Sequence, residues 1–239
     1  EANPYIIDTS AKLANLATQV RSGNNYEGKY FVLDANLDLN GLQWVTIGDW
    51  DGDCHSFNGY FDGNNNTIKG MKINEPNACA GLFSVTQNAQ IKNLTVLDPI
   101  ITRDSNPNDY GSYGVIVGEA YDSKFEEIHV INPKINGGRW IGGLFGYCER
   151  VIITSCSVTG GSITATNWKV GGITAGAYDA TIKDCVVNGT TIYTSATGFD
   201  NDIGGIIGYL ENCGYEKSVV LKIAVLMAML LLQIIMPEE

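Results

Sequence analysis

The chain has few of the residues that most catalytic and nucleic-acid-binding sites require. Only two of its 239 residues are histidines, which disfavours histidine-dependent catalysis and histidine-rich metal sites. Lysine and arginine together number 15, against 26 aspartates and glutamates, and the net charge is −11. Because a phosphate backbone needs a basic protein surface, this balance argues against nucleic acid as a partner.

Paired cysteines and prolines are also scarce. The six cysteines contain no C-x-x-C pair, which argues against a zinc site. Six prolines beside 28 glycines suggest many turns within one regular architecture. With 44% hydrophobic and 17% charged residues, the chain can bury a sizeable core as one domain.

A repeat runs through most of the chain. Five glycines align at separations of 33, 29, 29 and 33 residues, and four apolar positions follow each of the first four glycines. The aligned segments are AGLFS, YGVIVG, IGGLFG, VGGITAG and IGGIIG, with their glycines at Gly81, Gly114, Gly143, Gly172 and Gly205. The apolar positions are Ile91, Leu94, Val96 and Ile101; Phe125, Ile128, Val130 and Ile135; Ile153, Cys156, Val158 and Ile163; and Ile182, Cys185, Val187 and Ile192.

This pattern predicts an all-β fold, a right-handed parallel β-helix (solenoid) of about five coils. Apolar side chains alternate with polar ones, so one face of each short strand points inward. No amphipathic helix fits between the units, which removes a fold of alternating strands and helices. One unit cannot bury its inner face alone, so the units must stack and align like residues into ladders.

Three regions are expected along the chain. Residues 1–79 form an N-terminal cap and an incomplete first coil, residues 80–216 form the repeated coils, and residues 217–239 form an apolar tail. In the cap, the segment TSAKLANLATQVRSG (9–23) predicts a helix that covers the open end of the coils. Thr9 or Ser10 can cap this helix, Gly23 stops it, and its apolar face contains Leu13, Leu16, Ala17 and Val20.

The segments IGGLFG (141–146) and IGGIIG (203–208), with the I-x-N-[LC]-x-V stretches between such segments, resemble the GLUG-motif repeats of bacterial secreted and cell-surface proteins. The resemblance covers roughly residues 5–210. It implies a parallel β-helix, an extracellular or bacterial cell-surface location, and a stalk, adhesin or accessory role. Some such repeats accompany peptidase domains, including immunoglobulin A peptidases, and the family assigns no catalytic residues to the repeats.

The stretch GDWDGDCHSFNGYFDG (48–63) is the most site-like part of the cap. Asp49, Asp51 and Asp53 offer hard oxygen ligands at short spacing, as calcium prefers. The complete helix-loop-helix calcium signature is missing, because no glutamate stands at its twelfth position. The alternatives are a calcium site on these three aspartates and an acidic surface loop. No other cofactor is expected.

Aromatic residues at turns and loops are the better indication of function. Tyrosine and tryptophan in such places can stack on sugar rings or anchor a protein partner. Trp140 and Trp168 stand at near-equivalent positions of successive coils and could form one aromatic column. The alternative is that these rings shield the corners of the coils. The candidate ligand-binding residues are Trp140, Trp168, Tyr113, Tyr121 and Tyr178.

These features predict a non-catalytic scaffold or adhesin segment that binds a glycan or protein of a host or neighbouring cell. The alternative is a carbohydrate-active enzyme, a polysaccharide lyase or glycoside hydrolase, because other β-helices host such enzymes. A hydrolase needs two carboxyl groups about 5–10 Å apart across a sugar-sized cleft. The candidates stand in turn positions, where aspartate is favoured for its own backbone hydrogen bonds. They are Asp104, Asp109, Asp179, Asp200 and Asp202.

Two pairs of cysteines need separate interpretations. Cys156 and Cys185 share one inward column, and we expect small buried side chains rather than reactive thiols. Cys54 and Cys79 lie near the first coil, where a disulfide would suit an exported protein. The sequence leaves that pairing open.

The tail SVVLKIAVLMAMLLLQIIMPEE (218–239) differs from the polar chain before it. A transmembrane anchor needs about 20 apolar residues, and the tail offers a stretch of 18 residues (219–236) that is apolar except at Lys222 and Gln233. An apolar helix over residues 219–235 could instead cover the unfinished last coil. We favour a third interpretation, a shifted reading frame. For one choice of wobble bases, another frame reads KNCSVNGNVTTTNNYAGG, which restores the repeat.

Sequencing the natural gene tests the shifted frame. We expect the repeat to resume in another frame near codons 213–221, with further coils downstream. A genuine stop after this tail and no downstream repeats would contradict that expectation. A membrane anchor would then be the favoured interpretation of the tail. In that case the full chain should partition into detergent, while a chain ending at Glu216 stays in water.

Overall fold

The computed structural model describes residues 3–50, 54–74, 79–103, 111–166, 168–194 and 202–211. In this part the chain winds into an all-β parallel solenoid of about six turns, with a single short helix near the N-terminus. The solenoid class predicted from the repeat is therefore confirmed. The expected helix at 219–235 lies outside the described residues, as does the rest of the tail.

The described elements are short, and strands two to eight residues long alternate with turns. The cap and first turns contain β1 (Tyr5–Ile7), α1 (Ser10–Arg21), β2 (Tyr30–Leu33), β3 (Leu37–Asp38), β4 (Tyr60–Asp62), β5 (Thr67–Lys69), β6 (Lys72–Ile73) and β7 (Cys79–Ala80). The next turns contain β8 (Phe83–Gln87), β9 (Gln90–Leu97), β10 (Ile100–Thr102), β11 (Ser112–Tyr113), β12 (Val117–Tyr121), β13 (Lys124–Ile131) and β14 (Lys134–Gly137). The last turns contain β15 (Trp140–Gly142), β16 (Phe145–Glu149), β17 (Ile152–Thr154), β18 (Ser157–Thr159), β19 (Ser162–Ala165), β20 (Lys169–Gly171), β21 (Thr174–Tyr178), β22 (Thr181–Lys183), β23 (Val186–Asn188), β24 (Thr191–Thr194), β25 (Ile203–Gly204) and β26 (Ile207–Glu211).

Four parallel sheets wrap around the core, and each turn of the solenoid contributes strands to them in sequence. Sheet I runs β1-β2-β4-β9-β13-β17-β22, with β3, β5, β18 and β23 joined to it. Sheet II runs β24-β19-β14-β10-β6, sheet III runs β25-β20-β15-β11-β7, and sheet IV runs β26-β21-β16-β12-β8. Each strand pairs with the equivalent strand of the neighbouring turn, so side chains of equal register form columns along the solenoid axis.

The predicted apolar columns are the inner face of these sheets. Ile91 pairs with Phe125, Phe125 with Ile153 and Ile153 with Ile182, and all four are buried. The predicted column through Cys156 and Cys185 is buried as well, with both thiols at most 4% exposed. Their pKa directions differ, since burial raises the pKa of Cys156 while its hydrogen bond with Cys185 lowers the pKa of Cys185.

Val187 departs from the predicted burial. It continues the column of Val96, Val130 and Val158, but it is only partly buried. Its strand β23 pairs with β18 on one side, and the described residues place no strand of a following turn on its other side. An inner residue of a solenoid is covered from both neighbouring turns, and the described strands cover Val187 from one of them.

The structure also corrects the alignment of Gly114. Tyr113 pairs with Ile141, which sets Gly114 opposite Gly142 rather than the predicted Gly143. The spacing of eleven residues from Gly114 to Phe125, against ten in the other repeats, follows from this shift by one residue. A Cβ on Gly143 would overlap the carbonyl oxygen of Gly172, so backbone from adjacent turns meets closely at this corner.

Strands before residue 80 already belong to the stacked turns. Phe31 pairs with Phe61 and Phe61 pairs with Ile91, so the cap already contributes to the main inner column. Ile68 likewise pairs with Val96 and Ile73 with Ile101. The segment expected to be an incomplete first coil is thus part of the regular stack, which accounts for about six turns rather than about five.

Helix α1 forms as its sequence predicts. The Thr9 side chain accepts a hydrogen bond from the backbone N–H of Lys12 at 3.3 Å, which satisfies one of the free donors of the first turn. The predicted apolar face is the buried face, and Gly23 follows the C-terminal cap with φ +95°. Among the described residues, no helix is both long and apolar enough to span a bilayer. Cys54 and Cys79 are separate thiols in this structure.

A charge in the inner column tests the fold. Ile153→Asp should lower the free energy of unfolding by more than about 4 kcal/mol, because it buries an unpaired carboxylate between two turns. Ile152→Asp is the matched control, since Ile152 is the adjacent residue, faces outward and is 43% exposed. Urea denaturation measures both variants, and equal losses of stability would contradict the assigned register.

Candidate functional site

The outer face of sheet IV carries a two-column pattern of tyrosines and glutamates. Side chains of each strand alternate between the core and solvent, so Ala120, Cys148 and Ala177 are buried while their neighbours face outward. One outward column is Glu119, Tyr147, Gly176 and Tyr209, and the other is Tyr121, Glu149, Tyr178 and Glu211. Neighbouring turns lie about 4.8 Å apart, so tyrosines of one column, two turns apart, are separated by about 10 Å.

Trp140 lies across the first column. It belongs to sheet III, and its ring covers Gly176, where a Cβ would overlap the indole. The indole meets Tyr147 edge-on at a centroid distance of 5.6 Å and Tyr209 at 6.1 Å. The glycine in the column therefore makes room for the tryptophan, and three rings join into one aromatic surface across three turns.

Glutamates hold the tyrosines of this surface in place. The hydroxyl of Tyr121 donates a hydrogen bond to Glu119 at 2.6 Å, and Ser112 donates to the other oxygen of the same carboxylate at 2.8 Å. The hydroxyl of Tyr209 donates to Glu211 at 3.1 Å. Because tyrosine and glutamate stand two residues apart on one strand, each pair is local and fixes the ring without a distant partner.

One cation sits within the aromatic surface. Lys169 is 8% exposed, and its ammonium lies 3.9 Å from the ring centroid of Tyr209 and 5.6 Å from that of Trp140. It also forms an ion pair with Asp202. The carboxylate neutralises the lysine, and the faces of two rings surround its ammonium.

Trp140, the four tyrosines of the two columns and two of their glutamates line a surface groove of about 340 Å³, which we call the aromatic groove. Trp50 extends its rim, since its ring packs on Tyr121 at a centroid distance of 6.5 Å. The lining residues are Ser112, Glu119, Tyr121, Trp140, Tyr147, Ala177, Tyr178, Tyr209 and Glu211. A larger depression of about 460 Å³ lies beside the stacked rings of Tyr30 and Tyr60, and its lining contains one carboxylate, that of Asp62. The aromatic groove combines its rings with two carboxylates, those of Glu119 and Glu211.

Two carboxylates, those of Glu119 and Glu211, line the aromatic groove. Burial, followed by the charges of Glu149, Glu119 and Glu211, raises the pKa of Tyr147 to about 12. Burial, then the charge of Glu119 and its hydrogen bond, raise the pKa of Tyr121 far above its ordinary value. Both hydroxyls therefore stay protonated at neutral pH, and that of Tyr121 donates its proton to Glu119.

The structure brings together three of the five predicted ligand-binding residues. Trp140, Tyr121 and Tyr178 line the aromatic groove. Tyr113 is wrongly predicted to be exposed, because it is 1% exposed and packs in the core at β11. Trp168 does not continue the column of Trp140, whose partner in the next turn is Lys169, and its ring stacks on the guanidinium of Arg139 instead.

The predicted calcium ligands are only partly described. Asp51 and Asp53 lie outside the described residues. Asp49 is 7% exposed, its carboxylate contacts the imidazole of His55 at 3.0 Å, and Arg21 lies 3.9 Å from its other oxygen. In the described segments, no group of three acidic, histidine or cysteine side chains is placed to hold a metal ion. The calcium site stays a prediction.

Sequence reasoning missed Tyr147, Tyr209, Glu119 and Glu211. Their signal was the two-residue alternation in the strands after each repeat glycine, as in FGYCE and IGYLE. Once the repeats are aligned, that alternation places these side chains on one outer face. The position of Trp140 over Gly176 depended on the contact between two sheets, which no local pattern contains.

A protein of known sequence is similar to part of this chain. No family model matches the chain, so the GLUG resemblance stays an interpretation. A protein of Evansella cellulosilytica named "Putative Gly-rich membrane protein" is 28% identical over 173 residues. The match covers 60% of this chain and 20% of that protein, so the chain spans about a fifth of the relative's length.

A solved structure has the same fold. The crystal structure of a "putative immunoglobulin A1 protease" from Bacteroides ovatus superposes with a TM-score of 0.62 over 88% of this chain and 74% of that one. The two chains are 18% identical, so this likeness establishes the parallel solenoid and nothing finer.

The raised pKa of Tyr147 predicts an alkaline loss of stability. The unfolded chain ionises this tyrosine near pH 10, below the folded-state pKa of about 12. The stabilisation from the neutral buried ring is therefore complete below pH 10 and is lost as the pH rises toward 12. In Tyr147→Phe, the urea concentration at the midpoint of unfolding should therefore change less between pH 10 and pH 12 than it does in the original chain. Tyr193→Phe, at a 56% exposed site, is the control, and identical curves for both variants would contradict the assignment.

Proposed function

We propose that this chain is a non-catalytic segment of a bacterial surface β-solenoid, and that the aromatic groove binds a glycan. The observation that carries the proposal is the joined surface of Trp140, Tyr147 and Tyr209, bordered by carboxylates. Sugar rings present apolar faces and hydroxyl edges. Aromatic rings match the faces, and carboxylate oxygens accept hydrogen bonds from the hydroxyls.

The rigidity of the groove supports binding. Each ring stands on a strand that pairs with strands on one or both sides, and two tyrosine hydroxyls are held by glutamates. Rings fixed before binding lose little conformational entropy when a ligand docks. Tyrosine and tryptophan are also the side chains that most often dominate binding energy at interfaces.

The direction of the groove supports a polymer over a single sugar. Tyr121 and Tyr178 stand two turns apart in one column, and Tyr147 and Tyr209 stand two turns apart in the other. The stacking contacts therefore repeat along the solenoid axis. A chain of sugars laid along this axis would meet a ring at regular intervals, whereas one monosaccharide would contact only part of the surface.

A cell-surface location fits this role. The relative from Evansella cellulosilytica carries a name that places it at a membrane, and this chain matches about a fifth of it. A repetitive solenoid that projects a binding groove suits a stalk or adhesive segment of a longer extracellular protein. Its partner would be a glycan on a host or neighbouring cell, with a surface protein as the alternative ligand.

A carbohydrate-active enzyme is the second candidate, because carboxylates line the same groove. Of the aspartates proposed from sequence, Asp202 forms an ion pair with Lys169, and Asp179 stands in a turn with φ +47°. Asp104, Asp109 and Asp200 lie outside the described residues. Glu149 stands in the column of Tyr121 and Tyr178 outside the lining of the groove, and it is paired with Arg150. These engagements favour binding over acid–base chemistry.

Replacing the central ring tests the proposed binding. Trp140→Ala should weaken binding of a surface-glycan oligosaccharide by about tenfold or more, since it removes one stacking ring and uncovers Gly176. Trp168→Ala is the matched control, because Trp168 stacks on Arg139 outside the lining of the groove. A glycan array selects the ligand and isothermal calorimetry measures both variants. Equal affinities would contradict the proposed site.

The same oligosaccharides distinguish binding from catalysis. We expect the purified chain to release no products from polygalacturonate, alginate or mucin glycans over long incubation. Chromatography of the reaction mixture measures this. Products that disappear in the double variant Glu119→Gln and Glu211→Gln, which replaces the two carboxylates that line the groove, would instead establish the enzyme.

A further inference from the structure

The charges around the aromatic groove select among glycans. Glu119 receives its hydrogen bonds from the hydroxyls of Ser112 and Tyr121, and Glu211 receives one from Tyr209. These donors are neutral and bring no positive charge to either carboxylate. Arg150 forms ion pairs with Glu149 and also with Asp122, so one cation is shared by two acids. The groove therefore has an excess of negative charge.

An ammonium group of the chain itself lies against two of the rings that line the groove. The Lys169 ammonium lies against the faces of Tyr209 and Trp140, at 3.9 and 5.6 Å from their centroids, beside the carboxylate of Asp202. Cations are attracted to aromatic faces, and the attraction grows where water is partly excluded. The chain thus holds one cation between aromatic rings and a carboxylate. The groove offers a ligand the same two kinds of group.

We infer that the aromatic groove takes a glycan that carries free ammonium groups, that is, a chain containing N-deacetylated amino sugars. This inference rests on the proposed glycan binding and adds the charge of the ligand. The sugar faces would stack on Tyr147, Trp140 and Tyr178, and ammonium groups would lie beside Glu119 and Glu211. Uronate polymers would be repelled by these carboxylates.

A repeating amino sugar fits the groove better than a lysine-rich peptide. The rings repeat in two columns along the solenoid axis and form a continuous surface, which a flexible lysine side chain would not cover. Rigid sugar rings lose less conformational entropy than lysine side chains when they are immobilised. The same carboxylates would attract both ligands, so a lysine peptide belongs in the test.

Calorimetry on the full chain with four hexamers tests the inference. The probes are hexamers of glucosamine, N-acetylglucosamine and galacturonate, and hexalysine. The glucosamine hexamer should bind at least fivefold more tightly than its acetylated form, and its affinity should fall with added salt because charges are screened. Glu211→Gln should reduce the ratio of the two affinities, glucosamine hexamer over acetylated hexamer. Glu126→Gln makes the same charge change on the exposed outer face of sheet I and should leave this ratio unchanged.

Each other outcome overturns a different statement. The glucosamine and N-acetylglucosamine hexamers could bind equally tightly, with Trp140→Ala weakening both. This result would overturn the preference for ammonium groups but not the proposed glycan binding. Tighter binding of hexalysine than of any sugar would overturn the inference in favour of a protein partner. Absence of binding to every hexamer, together with a blank glycan array, would overturn both the inference and the proposed function.

Discussion

The parallel register between neighbouring turns is the constraint on which the rest of this structure depends. Backbone pairing sets each residue opposite its equivalent one turn away, so any choice of side chain is repeated along the axis. Inside, this produces columns such as Ile91, Phe125, Ile153 and Ile182, which bury one another. Outside, the same register lines up tyrosines and glutamates on sheet IV, so the core and the candidate site have one origin.

Small residues connect the core to the site. Gly176 occupies an outward position in a column that otherwise contains Glu119, Tyr147 and Tyr209, and the gap that it leaves is filled by Trp140 from the adjacent sheet. Glycine in a strand interior weakens it, so its use here carries an energetic cost. That cost is offset by ring contacts that span three turns, and the same contacts give the continuous surface that the proposed binding of a sugar chain requires.

The sequence predicted the solenoid, the inner columns and the cap helix, because each depends on a local pattern repeated in register. It predicted the site in part. Trp140, Tyr121 and Tyr178 were found from their places near turns, but Tyr113 was misplaced because a turn position in the sequence does not show which way a ring points. Trp168 was misaligned by one residue, and a shift of one residue in a strand turns a side chain to the opposite face. The contacts of Lys169 with two rings join two sheets, and no single repeat contains them.

The central claim is that glycan binding takes place on the outer face of sheet IV. Hydrogen exchange measured by mass spectrometry, with and without a saturating glucosamine hexamer, tests this claim most directly. The account predicts slower exchange in peptides that contain Val117–Tyr121, Phe145–Glu149 and Thr174–Tyr178, with no change around Tyr60–Asp62. Protection confined to the peptides around Tyr30 and Tyr60, or none in the three strands of sheet IV, would contradict it.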